Sequence, residues 1–447
     1  MHPQEIIAHH CTYLDAFFLS SVLLLPTTTM ISLSSSSTST LPKQKSINRA
    51  LQLLESVYGP IASPDFPLPM RSSEAGPCQC SVQCSSSSST QPREQQHRYL
   101  WTDAFAVLAY QTLADSYKSR KNENEAKKYR DAVEKLIAVV HDCLGKPRSE
   151  REKDGMTPCT ISPTGYVGLR IGKEESRKTT DYGMNYDGQY WHYIDKWLFV
   201  LARTGHAEEG VRIAKSCFPY FFSSSKYGGG GIRWKLSVDA SPPPSLPPVY
   251  GPNDDTLNAL IVFSMLEKQN QSIDDKSDDE SAELNLRDEI ALLQNSLQNY
   301  KPQVTSDPLG WGLEVLFDQF IQGHPRMGRL RKLAPEVLDS VHLSLPFRLY
   351  GSLIGALVVP SAAADGVVSV GGSGGKRSTD EVAIPRHLRE LLDYCTNYQF
   401  LEMRREESSD VSGYKEDHSS INRTMLAMAL LAPGVLRRRG YDPLVHL

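Results

Sequence analysis

The sequence predicts an all-α protein, a ring of six helical hairpins with short β-hairpins in the loops at one mouth. Three observations predict it. Twelve stretches repeat apolar residues at helical spacing. Those stretches alternate between two characters, and strand patterns between them are sparse and short.

In chain order the helical patterns run over 45–58, 98–118, 123–144, 187–204, 207–221, 253–268, 283–299, 311–322, 333–342, 346–359, 385–398 and 419–432. One set is rich in apolar and small residues, as in "FAVLAYQTLA", "LNALIVFSML", "LYGSLIGALV" and "INRTMLAMALLA". The other is amphipathic and charged, as in "ENEAKKYRDAVEKLIAVV" and "RDEIALLQNSLQNY". A helix apolar on all sides is buried, whereas one with a charged stripe faces water. The alternation therefore suits an inner ring of helices wrapped by an outer one. The hairpins pair 98 with 123, 187 with 207, 253 with 283, 311 with 333 and 346 with 385, and the helix at 419–432 meets the first at 45–58. Two short segments, "GLRIGK" (168–173) and "GIRWKL" (231–236), share a Gly, aliphatic, Arg pattern and read as equivalent strands at one mouth.

With 447 residues, 40% of them hydrophobic, the chain can build a sizeable core. Forty-eight Lys and Arg against 52 Asp and Glu leave a net charge of -4, which gives no field suited to nucleic acid or an anionic membrane. Neither is expected as a partner. Eight scattered cysteines suit reduced thiols in a cytoplasmic setting. Cys78, Cys80 and Cys84 lie in a Ser/Pro/Gln-rich linker without the spacing of common zinc sites, so no metal and no cofactor is expected. Residues 1–43 read as an extension that does not pack. Its "FFLSSVLLL" (17–25) is too short to span a bilayer and lacks a preceding positive charge, and secretion is the alternative if 1–30 act as an atypical signal peptide. A single domain is expected over 44–440, with low-complexity insertions at about 60–96, 270–282 and 361–382.

The hairpin order, "YLWTDAFAVLAY" (99–110) and "YDGQYWHYIDKWLFVLARTGHAEEGVRIA" (186–214) resemble the six-hairpin glycosidase-like superfamily. These are (α/α)6 toroids, among them glucoamylase-like enzymes, unsaturated glucuronyl hydrolases and the N-acylglucosamine epimerase group. The first stretch looks like the Trp-x-Asp-x-x-Phe opening of the glucuronyl hydrolase helices, and the resemblance implies a catalytic role for Asp103.

In such a toroid the pocket lies where loops enter the inner helices. Aromatic faces stack on sugar rings, and polar side chains bond their hydroxyls. The residues at those points are Trp101, Tyr186, Gln189, Tyr190, Trp191, His192, Asp254, Asp255, Trp311, Arg348 and His418. Glycoside cleavage needs one carboxylic acid to protonate the leaving oxygen and a second carboxylate to activate water or attack the sugar. Asp103 and Asp187, opening consecutive apolar helices, form the expected catalytic pair, and Glu314 and Asp318 lie deeper. Arg170, Arg233 and Arg348 suit a carboxylate or phosphate, which points to an anionic sugar. Plainer roles compete with these. Asp254 and Asp255 follow "GPN" and fit a helix cap, Asp103 fits a dipole-stabilising acid, His192 a satisfied core histidine, and Trp101 and Trp311 packing. The expected partner is a carbohydrate or oligosaccharide and the leading activity glycoside hydrolysis. The alternatives are epimerisation through His192 and His418, and a non-catalytic toroid that binds glycan or protein.

Overall fold

The computed structural model describes residues 44–68, 98–145, 168–173, 187–224, 229–243, 249–271, 285–321, 325–339, 345–358, 386–408 and 419–432. All of them belong to one compact unit, Thr38–Leu447. Tyr186, His418 and the Cys78, Cys80 and Cys84 group lie outside the described residues.

Twelve helices occur among the described residues: α1 (Gln44–Tyr58), α2 (Leu100–Ser119), α3 (Glu123–Leu144), α4 (Trp191–Thr204), α5 (Ala207–Phe221), α6 (Asp254–Gln271), α7 (Arg287–Leu297), α8 (Pro308–Asp318), α9 (Pro325–Asp339), α10 (Pro346–Val358), α11 (Arg386–Ser408) and α12 (Ser419–Leu431). Four short strands join them: β1 (Gln189–Tyr190), β2 (Phe222–Ser224), β3 (Gly230–Ile232) and β4 (Lys235–Leu236). The protein is all-α. β1 pairs antiparallel with β4, Tyr190 opposite Lys235, and β2 pairs with β3, Phe222 opposite Ile232.

The two characters of helix seen in the sequence are two burial patterns. In α2 every residue from Leu100 to Tyr110 is buried, and in α4 every residue from Ile194 to Ala202. The amphipathic α1 buries only Ile47, Ala50, Leu53, Leu54, Val57 and Tyr58, spaced by three and four. α3 does the same with Ala126, Tyr129, Ala132, Val133, Leu136, Ile137, Val140 and Leu144. Each large apolar side chain removed from water contributes about 1.5–3 kcal/mol, so the apolar set carries most of the core. α2 packs on α3, α4 and α12; α6 packs on α4, α5 and α7; α8 packs on α9 and α10; and α12 packs on α1, α2, α10 and α11.

Helix ends are fixed locally. Asn122 caps α3 by accepting from the Glu125 N–H at 3.2 Å, and Asp307 caps α8 by accepting from the Gly310 N–H at 2.8 Å with Pro308 at the first helical position. α4 stops at Gly205, whose φ of 85° is left-handed. α8 and α10 approach closely because both present glycine: a Cβ on Gly312 would stand 2.1 Å from the Gly351 carbonyl oxygen, and one on Gly355 2.6 Å from the Gly312 Cα. Between α6 and α8 the link runs through Arg326 of α9. Its guanidinium donates to Asp318 of α8 at 2.5 and 2.8 Å and to Asp254 of α6 at 2.7 Å. No helix among the described residues is long and apolar enough to cross a membrane.

Three expectations are corrected. Residues 168–173 form no strand: the Arg170 N–H donates to the Leu144 carbonyl, the Ile171 N–H to the Gly188 carbonyl, and the Ile171 carbonyl accepts from Leu100. α4 begins at Trp191 rather than 187, because Gln189 and Tyr190 are drawn into pairing with β4. Residues 60–68 belong to the packed fold and not to an insertion, since Phe66 is buried against Tyr110 with ring centroids 5.8 Å apart.

Candidate functional site

The helix starts are where loop backbone meets side chain. α2 and α4 have no side-chain cap; instead the Leu100 N–H donates to the Ile171 carbonyl at 3.0 Å and the Trp191 N–H to the Trp234 carbonyl at 2.9 Å. At α6 the cap is Asn253, whose side-chain oxygen accepts from the Thr256 N–H at 3.0 Å while the Thr256 hydroxyl oxygen accepts from the Asn253 N–H at 3.2 Å. This reciprocal pair removes the plain role considered for Asp254 and Asp255. Asp254 turns to Tyr300, at 2.9 Å, and to Arg326.

Asp255 turns the other way. Its backbone carbonyl accepts from the Trp191 indole at 3.1 Å, which fixes the start of α6 against α4. Its carboxyl makes no hydrogen bond among the described residues. Burial, the neighbouring Asp195 and Asp254 raise its pKa to about 7, with Lys196 opposing. Asp195 is fully buried on α4 and held by the Lys196 ammonium at 2.8 and 2.9 Å and by the Asn258 amide. Burial pushes the Asp195 carboxyl up, and Lys196 and Asn258 work against it. Asp255 and Asn258 share one face of α6, as His192, Asp195 and Lys196 share one face of α4. The Lys196 ammonium lies 4.5 Å from the Phe317 ring of α8.

His192 and Tyr193 open α4 beside an aromatic group. Tyr193 lies 5.1 Å from Trp101 and 5.6 Å from Tyr99 between ring centroids, and His192 lies 6.1 Å from Trp101 and 5.8 Å from Tyr190. Tyr190 stands edge-on to Trp234 at 5.7 Å and lies under the Lys235 ammonium at 4.8 Å. Burial and then Lys196 lower the His192 pKa to about 3, so its imidazole is neutral. Its ring makes no hydrogen bond among the described residues. His192, Tyr193 and Asp255 are partly exposed at the starts of α4 and α6. Two buried polar atoms nearby lack partners: the Trp101 indole N–H, whose ring lies beside His192 and Tyr193, and the side-chain oxygen of Asn258, whose amide bonds Asp195.

Both members of the expected catalytic pair, Asp103 and Asp187, are bonded by neighbouring groups. Asp103 is fully buried and bound by the Arg98 guanidinium and the Tyr58 hydroxyl, the latter at 3.1 Å, and Arg98 also donates to the Leu68 carbonyl at 2.8 Å. Asp187 is buried and held by Arg170 at 2.9 Å and by the Gly172 N–H at 3.0 Å. Asp103 joins the end of α1 and the segment before α2, and Asp187 joins residues 170–172 to the segment before α4. The arginines expected to meet an anionic sugar are likewise engaged. Arg170 holds Asp187 and the Cys143 carbonyl, Arg233 holds the Tyr220 carbonyl and the Ser223 hydroxyl, and Arg348 holds Asp307. Gln189 donates to the Val238 carbonyl at 3.2 Å. Trp311 donates to the Leu330 carbonyl at 3.0 Å inside a small packed cluster, remote in role from a sugar platform.

Among the expected residues, Trp101, Tyr190 and His192 are therefore brought into one aromatic group, Trp191 meets Asp255, and Arg170 meets Asp187. Asp195, Lys196, Tyr193, Tyr99, Trp234 and Asn258 join the aromatic group or Asp255 without having been singled out. The available signal was the Asp195–Lys196 pair set within the otherwise apolar "WHYIDKWLFVLA". Among the described residues no group of three or more His, Cys, Asp or Glu side chains is arranged to hold a metal ion. No protein-family model, curated protein or solved structure matches this chain.

Proposed function

We propose that the protein is a carbohydrate-active hydrolase that cleaves a glycosidic bond in a recess at the starts of α2, α4 and α6. The proposal includes an (α/α)6 toroid, in which α2, α4, α6, α8, α10 and α12 form the inner ring. The succession of packing partners around these helices supports that arrangement, as does the Arg326 link between α6 and α8.

The observation that carries the reading is the Asp255 carboxyl: partly exposed, without a hydrogen-bond partner among the described residues, and with its pKa raised to about 7 by burial and the neighbouring Asp195. A carboxylic acid that keeps its proton near neutrality is the proton donor glycoside cleavage requires. In this reading Asp255 protonates the leaving oxygen as the glycosidic C–O bond breaks, and water then adds to the anomeric carbon and returns a proton to the Asp255 carboxylate. Asp195, buried one turn along the facing helix, supplies the negative charge that stabilises positive charge developing on the sugar ring. Lys196 and Asn258 fix that carboxylate in place. The rings of Trp101, Tyr193 and Trp234 supply flat apolar surface for sugar faces.

Incubation with a panel of oligosaccharides, followed by reducing-end release, tests this. Cleavage is expected, falling as pH rises above about 7 because Asp255 then loses its proton. Asp255→Asn is expected to lower kcat by at least about a hundredfold. Cleavage that survives this substitution unchanged excludes Asp255 as the acid.

A further inference from the structure

The wall that α2, α4 and α6 present to the recess is electrically balanced. The Asp195 carboxylate is matched by Lys196 through two hydrogen bonds, and Asn258 adds a third from its amide. The imidazole of His192 is neutral, and burial holds Asp255 in its neutral form through the mildly acidic range. Among the wall's fully buried side-chain atoms, one neutral donor and one neutral acceptor stay unsatisfied, in addition to the His192 ring and the Asp255 carboxyl. Trp101 is 3% exposed as a residue and its buried indole N–H has no partner, and the Asn258 side-chain oxygen has none although the amide at the other end of the same group is bonded. A buried polar atom without a partner costs about 1–3 kcal/mol, and a ligand hydroxyl, which both accepts and donates, relieves either kind. An ionised ligand group finds no uncompensated charge on these faces of α2, α4 and α6 with which to pair. The aromatic rings beside these atoms give a ring-shaped ligand its apolar contact.

We infer that the recess takes an uncharged, hydroxyl-bearing sugar residue, one hydroxyl accepting from the Trp101 indole N–H and another donating to the Asn258 side-chain oxygen. This rests on the carbohydrate reading above and reverses the anionic sugar that the arginines suggested.

Calorimetric titration of the full chain carrying Asp255→Asn tests the inference without turnover, using methyl glucoside, methyl galactoside, methyl mannoside and xylose against glucuronate and galacturonate. At least one neutral sugar is expected to bind at least about tenfold more tightly than either uronate. Trp101→Phe keeps the ring and removes the N–H, and Asn258→Leu removes the acceptor; each is expected to weaken that binding about tenfold. Thermal melts of both variants confirm folding, and Trp101→Phe alone suffices should Asn258→Leu unfold. Uronates bound as tightly as neutral sugars, neutral binding indifferent to Trp101→Phe, or no sugar bound at all would each overturn the inference. Neutral binding with the expected losses in a chain that cleaves no glycan upholds it and removes the hydrolase reading alone.

Discussion

Asp103 and Asp255 are both aspartates in the first turn of an apolar helix, yet their surroundings give them opposite tasks. Asp103 meets a buried guanidinium and a phenol, and Asp255 meets none. Removing the guanidinium with Arg98→Met strands a buried carboxylate and is expected to cost about 3–5 kcal/mol in chemical denaturation; adding Asp103→Asn restores part of it. For Asp255 the effect depends on pH. Its folded pKa of about 7 lies above its ordinary 3.8, so the native state holds a proton that the unfolded chain releases between those values. Stability carried by this group is full below about pH 4 and is lost as pH rises towards 7. Asp255→Asn is expected to flatten that decline, by at most about 4 kcal/mol and less to the extent that water reaches the carboxyl. Parallel melting curves for wild type and variant from pH 4 to pH 8 would contradict the assignment.

At the scale of elements, glycine sets how near α8 comes to α10. Gly312→Val is expected to destabilise by about 1–3 kcal/mol or more, because Val Cβ overlaps backbone that has no soft end to yield; urea unfolding measures it. The helices themselves were legible because burial on one stripe or on all sides writes a 3.6-residue period into Ile47 to Tyr58 and an unbroken apolar run into Trp197 to Ala202. The start of α4 was misplaced because the period of Tyr190, Tyr193 and Trp197 continues smoothly through a residue that pairs with Lys235 instead. The site was legible only as a region. Which aspartate is engaged depends on partners distant in sequence, Tyr58 for Asp103 and Arg326 for Asp254, and local spacing holds no record of them.

In the whole molecule, Arg326 ties its own helix α9 to α6 and α8, both of which precede it in the chain. Arg326→Gln leaves Asp318 and Asp254 without their shared cation and is expected to raise amide hydrogen exchange in α6, α8 and α9 while α2 and α3 keep their protection. Uniform loss across all helices would instead show one cooperative unit. The packing of α1 on α12 has a temporal meaning. Among the described helices α1 leaves the ribosome first and its partner last, so Ile47, Leu53 and Leu54 must wait for α12 while the helices between them are made. A nascent chain halted before residue 419 is therefore an aggregation-prone intermediate whose first helix is the natural target of a chaperone. Moving the break in the chain to the segment between Tyr58 and Arg98, so that α12 runs directly into α1, would make the slowest contact in the fold a local one.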